Sequence, residues 1–250
     1  MLISFIAFIV VFSIIVIVHE FGHFVLARKA GVKVYEFSIG FPFSPRILTL
    51  FRHKETEFTL RLLPIGGFVS FSKEGDEDAK DLFETSNVKR AMILSAGSFF
   101  NITFAFLLFI PVFIIGKHLD FIGAIFLSAK TIWAMLSGTI AFIFNIVSGN
   151  GEIKGIVGPV GIATLAGQAV SKGILSLLYF TGVLSASIGI MNLIPFPALD
   201  GGQLLILLIE SIRKKHLSLK TYQVFNLVGL SLFIILTIVV TYKEIVKFII

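Results

Sequence analysis

Residues 2–27 read LISFIAFIVVFSIIVIVHEFGHFVLA, an apolar run interrupted only by His19, Glu20 and His23. About 20 apolar residues of helix cross the hydrocarbon core of a bilayer, so this stretch is expected to be a transmembrane helix. It lacks the basic start and small-residue cleavage site of a removable signal peptide, so it is expected to remain as a permanent first span. The rest of the chain agrees. Of 250 residues, 56% are hydrophobic and 14% charged, whereas soluble domains run at about 45 to 50% apolar and about 25% charged. That balance excludes a disordered chain and a soluble fold, and the expected class is an all-α polytopic membrane protein. The formal charge of +6 comes from basic residues at the ends of apolar runs, which marks membrane topology rather than a nucleic-acid surface. With no cysteine, thiolate nucleophiles, iron–sulfur clusters and Cys-ligated zinc are all excluded, so a metal here has to be held by His, Asp, Glu or backbone oxygens.

Working outward from the first span, residues 28–90 are the one long polar stretch, with 11 of the 21 Lys and Arg and 9 of the 15 Asp and Glu. Within it, Ile47 to Arg52 and Glu57 to Leu63 alternate apolar and polar residues across the turn at residues 53–56, a β-hairpin signal. Pro64-Ile65-Gly66-Gly67 breaks the pattern before Phe68, and Lys73 to Glu84 reads as a solvated acidic loop. A second span is expected at 91–115. Residues 116–157 connect to the next core span, and hydropathy alone does not decide whether their apolar segment, Phe121 to Gly149, crosses the bilayer or lies along it. A third core span over 158–209 follows, then a loop at 210–221 and a fourth span at 222–242. Arg28, Lys29 and Lys33, then Lys89 and Arg90, and finally Arg213, Lys214, Lys215 and Lys220 flank short loops that are expected to be cytoplasmic. Four crossings with both termini outside satisfy these markers.

The three interruptions of the first span form H-E-x-x-H, His19-Glu20-Phe21-Gly22-His23. On a helix the two imidazoles, four residues apart, share a face and can both bind one zinc, while Glu20 is placed to take a proton from the attacking water. Two imidazoles and a carboxylate inside an apolar span are too unfavourable to be filler, which makes the cluster functional by default. A second polar site lies in Asn192-Leu193-Ile194-Pro195-Phe196-Pro197-Ala198-Leu199-Asp200-Gly201-Gly202. Catalytic zinc usually takes three protein ligands and keeps one position open, and Asp200 completes that count with His19 and His23. His19 lies eight residues before Ala27, and Asp200 nine before Ile209. At about 1.5 Å per residue both are expected roughly 12 to 14 Å inside the cytoplasmic end. Pro195 and Pro197 cannot both sit in an undisturbed helix, and unwound backbone at this depth suits a watery cavity.

With these residues in view, the chain resembles the site-2 protease (M50) family of intramembrane zinc metalloproteases, specifically its RseP-like members, over nearly its whole length. The resemblance implies that HEFGH is the zinc-binding helix, with His19 and His23 as ligands and Glu20 as catalytic base. It implies Asp200 as the third ligand, with Asn192, Pro195 and Pro197 positioning substrate. GVKVYEFSIGFP together with LRLLPIGGFVSF, containing Gly66, Gly67 and Phe68, is similar to the family's membrane-reentrant β-loop. AGSFFN resembles its second-span pattern ending in Asn101, with Ser98 where the family has Pro, and GPVGIA resembles the lead-in to its third core span. RseP-like members carry PDZ domains between the second and third core spans, whereas here only Gly116 to Asp120 stands in that position. In those relatives the next segment lies on the outer membrane surface, which is the expectation for Phe121 to Gly149.

The implied activity is zinc endopeptidase cleavage inside the transmembrane segments of single-pass proteins, in a bacterial inner membrane, with the site in the cytoplasmic half of the bilayer. A helix hides its peptide bonds, so substrate is expected to unwind and add as a strand to the Ile47 to Leu63 sheet or the Pro64 to Phe71 segment. A membrane metal transporter or sensor using the same His and Asp residues is the alternative, but it assigns no role to Glu20 or the β-loop. His53, His118 and His216 read as solvated.

Overall fold

The structure is a computed structural model that describes residues 2–40, 44–63, 66–71, 82, 85–150, 157–215 and 217–249. Pro64, Ile65, His216 and the Lys73 to Glu84 loop, Leu82 apart, lie outside the described residues. Helix α1 (Leu2–Ala30) is followed by strands β1 (Glu36–Ile39), β2 (Arg46–His53), β3 (Thr56–Arg61) and β4 (Gly67–Ser70). Among the described residues six further helices follow: α2 (Asn87–Lys117), α3 (Phe121–Val147), α4 (Pro159–Ser171), α5 (Ile174–Asn192), α6 (Asp200–Arg213) and α7 (Leu219–Ile249). Among the described residues, five helices are long and apolar enough to cross a membrane: 2–30, 87–117, 121–146, 174–192 and 220–246.

The spans run past the limits expected from hydropathy, because apolar content stops at the first charges while helical hydrogen bonding continues through them. α3 meets the same test of length and composition as the other four spans, so it stands as a fifth candidate beside the four counted from sequence. The expected single core span over 158–209 is three helices. Pro195 and Pro197 fall in the 193–199 link between α5 and α6. A helix there would lose two N–H donors and clash with the preceding turn.

The chain divides into two compact units. One comprises residues 1–11, 102–191 and 220–250; the other comprises 12–101 and 192–219. The first is built from apolar helices packed through small residues. Its core holds Ala105, Phe109, Val112, Phe113, Ala124 and Ala186. A Cβ on Gly182 would come within 2.7 Å of the Phe109 ring, so the glycine lets α5 approach α2 closely, as small residues do where apolar helices meet in lipid. Glu244 on α7 accepts a hydrogen bond from the backbone N–H of Gly158, at 2.7 Å, just before α4 begins.

The second unit carries a four-stranded sheet in the order β2-β3-β1-β4. The expected hairpin is β2 and β3, antiparallel, tightened to a two-residue turn in which Lys54 takes a left-handed φ of 55°. β3 also pairs parallel with β1, and β1 pairs antiparallel with β4, Ser38 facing Phe68. β2 and β4 are therefore the sheet's edges. β2 is exposed throughout, with Ile47, Leu48, Leu50 and Phe51 all open. Ala27, Val32, Val34 and Ile93 are the buried core below the sheet, with Phe24 and Val69 packed on it.

Candidate metal centre

All residues of this centre belong to the second unit. His19 and His23 lie one turn apart on α1, so their rings fall on one face, with centroids 4.8 Å apart at 78°. Nε2 of His19 is 3.2 Å from Nε2 of His23. Oδ2 of Asp200 is 3.1 Å from the first of these nitrogens and 3.4 Å from the second. Three donor atoms thus form a nearly equilateral triangle. In a tetrahedral zinc site with bonds of about 2.0 to 2.1 Å, ligand atoms stand roughly 3.3 Å apart, so the triangle has the size of one face of such a tetrahedron. Asp200 Oδ2 is buried, with the two histidine nitrogens as its polar neighbours. The residues fit zinc, and this is the one such cluster among the described residues.

Asp200 reaches this position through the folded link that precedes it. Phe196 N–H donates to the Ile194 carbonyl at 2.7 Å, Leu199 N–H to that of Phe196 at 3.2 Å, and Gly202 N–H to that of Leu199 at 3.0 Å. Ala198 takes a left-handed φ of 71°. The link's carbonyls press on the first turn of α6 so closely that a Cβ on Gly201 would stand 2.2 Å from the Ile194 oxygen, and one on Gly202 2.2 Å from the Phe196 oxygen. The two glycines after Asp200 are therefore steric requirements of the turn that delivers the carboxylate.

Helix α2 forms the back wall. Nδ1 of His23 lies 2.7 Å from the Ile93 carbonyl, and the Asn101 side-chain amide lies 3.3 Å from Nδ1 of His19. Between them, a Cβ on Gly97 would be 2.5 Å from His23 Nε2 and 2.6 Å from His19 Nε2. Residues 93, 97 and 101 recur every four positions along one face of α2, matching the four-residue spacing of the histidines on α1. Gly22 allows this approach from the other side, since its Cβ would be 2.6 Å from the Ala96 carbonyl oxygen. Sequence reasoning missed Ile93 and Gly97. The available signal was the equal spacing of H-x-x-x-H in the first span and G-x-x-x-N in the second.

Glu20 turns toward the sheet. Its carboxylate accepts a hydrogen bond from the backbone N–H of Val69, and a Cβ on Gly67 would be 3.3 Å from its Cγ. The Gly66 carbonyl accepts from Gly40, and that of Ser70 from Tyr35, both on the β1 side. Antiparallel alternation therefore turns the backbone groups of Gly67 and Val69 to the open edge of β4, beside Glu20. Gly66 has a φ of 105°, a conformation that suits glycine alone. Phe68 lies under the Arg61 guanidinium, 4.8 Å from ring centroid to Cζ.

Of the other expected site residues, Asn192 closes α5, while Pro195 is exposed and Pro197 half-buried in the link. Asn101 is fully buried against His19. Further along, Arg90 and Glu210 form a buried ion pair at 3.1 Å that ties the start of α2 to the end of α6.

The profile of peptidase family M50 matches residues 7–236. A protein of Clostridium perfringens named as a candidate zinc metalloprotease is 28% identical over an aligned stretch of 325 residues, covering 94% of this chain and 96% of that relative. The stretch is longer than this chain, so the relative carries residues with no counterpart here. Zinc metalloprotease RasP of Shouchella clausii is 37% identical over 138 residues, 55% of this chain and 32% of its own. A Vibrio cholerae protein named as a candidate zinc metalloprotease is 42% identical over 119 residues, 45% of this chain and 26% of its own.

Proposed function

The chain belongs to peptidase family M50, and on that premise we propose that it hydrolyses peptide bonds within the transmembrane segments of single-pass membrane proteins. Site-2-type zinc metalloprotease and multi-pass membrane protein follow from the family and its apolar helices. The finer reading assigns zinc to His19, His23 and Asp200 and general-base work to Glu20. The observation that supports it best is the triangle of donor atoms at 3.1 to 3.4 Å with a carboxylate and a strand edge beside it. Zinc, when bound, supplies a Lewis acid that acidifies water and polarises a carbonyl.

The chain's own residues supply the rest. Glu20 takes the proton of the attacking water and returns it to the leaving amine as the peptide bond breaks. An unwound substrate adds as a strand to the open edge of β4, where Gly67 offers its backbone N–H and carbonyl and Val69 its carbonyl. Gly66 and Phe68 shape that edge, and Asn192, Pro195 and Pro197 hold substrate from the opposite link. In this reading the protein sits in a bacterial cytoplasmic membrane with both termini outside and the site in the cytoplasmic half of the bilayer. Anti-sigma-factor anchors and signal-peptide remnants are the candidate substrates.

A metal transporter or sensor would use the same three ligands, but it gives Glu20 no reason to face a strand edge. The test is a zinc-dependent cleavage assay on a panel of single-pass segments, with purified wild-type protein and Glu20→Gln. Cleavage by wild type and none by Glu20→Gln at equal zinc content is expected. Equal cleavage by both, with contaminating proteases excluded, would sink the assignment; metal flux in proteoliposomes without cleavage would favour the transporter.

A further inference from the structure

We propose that Asn101 is a positioning residue for zinc, the acceptor that fixes the tautomer and ring angle of His19. The inference rests on the reading of His19, His23 and Asp200 as zinc ligands. An imidazole that binds a metal through Nε2 carries its proton on Nδ1, and a buried N–H needs an acceptor. For His23 that acceptor is the main chain, the Ile93 carbonyl at 2.7 Å from Nδ1. For His19 the polar group at Nδ1 is the side-chain amide of Asn101, placed with Nδ2 at 3.3 Å, so the acceptor role requires the amide to be turned end for end. Asn101 is fully buried and His19 nearly so. A side-chain amide in that position is there for a hydrogen bond, since burying one without a partner is strongly unfavourable.

The amide can turn its oxygen or its nitrogen to His19, because the two ends are nearly the same size. With the oxygen toward Nδ1, the ring donates its proton to Asn101 and keeps Nε2 free for zinc. With the nitrogen toward Nδ1, the ring proton moves to Nε2 and blocks the ligand position. Zinc binding and the amide orientation are thereby linked. The histidines differ in one practical respect: the carbonyl supporting His23 cannot be removed by substitution, whereas the amide supporting His19 can.

The test measures zinc affinity of the full-length protein in detergent by chelator competition, together with the visible spectrum after cobalt substitution. Asn101→Leu keeps the volume and removes the acceptor; Asn101→Asp keeps an acceptor in the same place. Expected is a loss of about 10- to 100-fold in zinc affinity for Asn101→Leu, with an altered cobalt spectrum, and rescue by Asn101→Asp to near the wild-type value. Wild-type affinity in Asn101→Leu overturns the proposal, as does a loss in Asn101→Asp as large as that in Asn101→Leu. If Asn101→Leu fails to fold, the Asn101→Asp arm decides alone. Tight zinc binding by wild type that is lost in His19→Ala keeps the underlying site reading standing whatever Asn101 does. Absence of zinc binding by wild type itself overturns both.

Discussion

Gly97 leaves room for His23: a Cβ at position 97 would stand 2.5 Å from the Nε2 atom that His23 offers to a metal, and 2.6 Å from that of His19. Real carbon–nitrogen contacts at this separation do not occur, and helix backbone on one side and a helix-borne imidazole on the other leave little freedom to move. Gly97→Ala is therefore expected to abolish zinc binding while the protein still inserts and purifies. Gly116→Ala, on the same helix but with its nearest neighbour 3.9 Å away, is the control and should keep full metal. Zinc content measured on purified protein checks both, and a Gly97→Ala variant at wild-type stoichiometry would show that α2 does not back the site.

The buried pair Arg90 and Glu210, 3.1 Å apart, braces the helix that begins with Asp200. Glu210 also accepts the backbone N–H of Leu217 at 2.9 Å, closing the turn after α6. Removing one partner of a buried pair strands the other charge and costs about 3 to 5 kcal/mol, whereas replacing both with apolar groups is often neutral. Arg90→Met is expected to lower thermal stability in detergent strongly, and the double variant with Glu210→Leu to recover much of it. Additive losses in the double variant would rule out the pair as a coupled brace.

The candidate metal cluster was legible in the sequence because ionisable groups inside an apolar run stand out: His19, Glu20, His23 and Asp200 interrupt stretches with almost no other charge. Asp200's delivery was half legible. Pro195 and Pro197 announce a break in the helix, but the carbonyl contacts that require Gly201 and Gly202 depend on how the link folds back. The back wall was not legible, since Gly97 and a main-chain carbonyl at Ile93 carry no charge and no hydropathy signal. The β2–β3 hairpin came from local alternation, while the parallel pairing of β1 with β3 joins residues 21 positions apart and leaves no local mark. The outer limits of the spans shifted because helices run on through Arg28 and Lys29 at one end and begin before Arg90 at the other.

Removing the metal should act on stability as well as activity. A ligand that binds only the folded state stabilises it by mass action, by about 2.7 kcal/mol at 100 times the dissociation constant. Chelator-treated protein is expected to lose cleavage and to melt earlier, with both restored by zinc and neither by magnesium, which prefers six oxygen ligands. The same treatment of Asp200→Ala should leave the melting curve where it is. A wild-type curve unmoved by chelation would mean that no zinc is held between α1 and α6.

The two edges of the sheet give opposite expectations for substrate cleavage. β4 lies beside Glu20, and Gly67 is the residue whose Cβ would stand 3.0 Å from the Ser38 carbonyl oxygen and 3.3 Å from Glu20 Cγ. A branched side chain there crowds both the carboxylate and the edge on which a substrate strand would pair. Gly67→Val is therefore expected to lower kcat/KM by about tenfold or more, a change of at least about 1.4 kcal/mol in the barrier, at unchanged zinc content. β2 is the far edge, with Leu50 exposed and away from Glu20 in strand order. Leu50→Ser should leave cleavage of a transmembrane-segment substrate within about twofold in detergent, as surface changes distant from a site do. If Leu50→Ser impairs cleavage and Gly67→Val does not, the substrate strand pairs with β2 and the role given to the β4 edge is wrong.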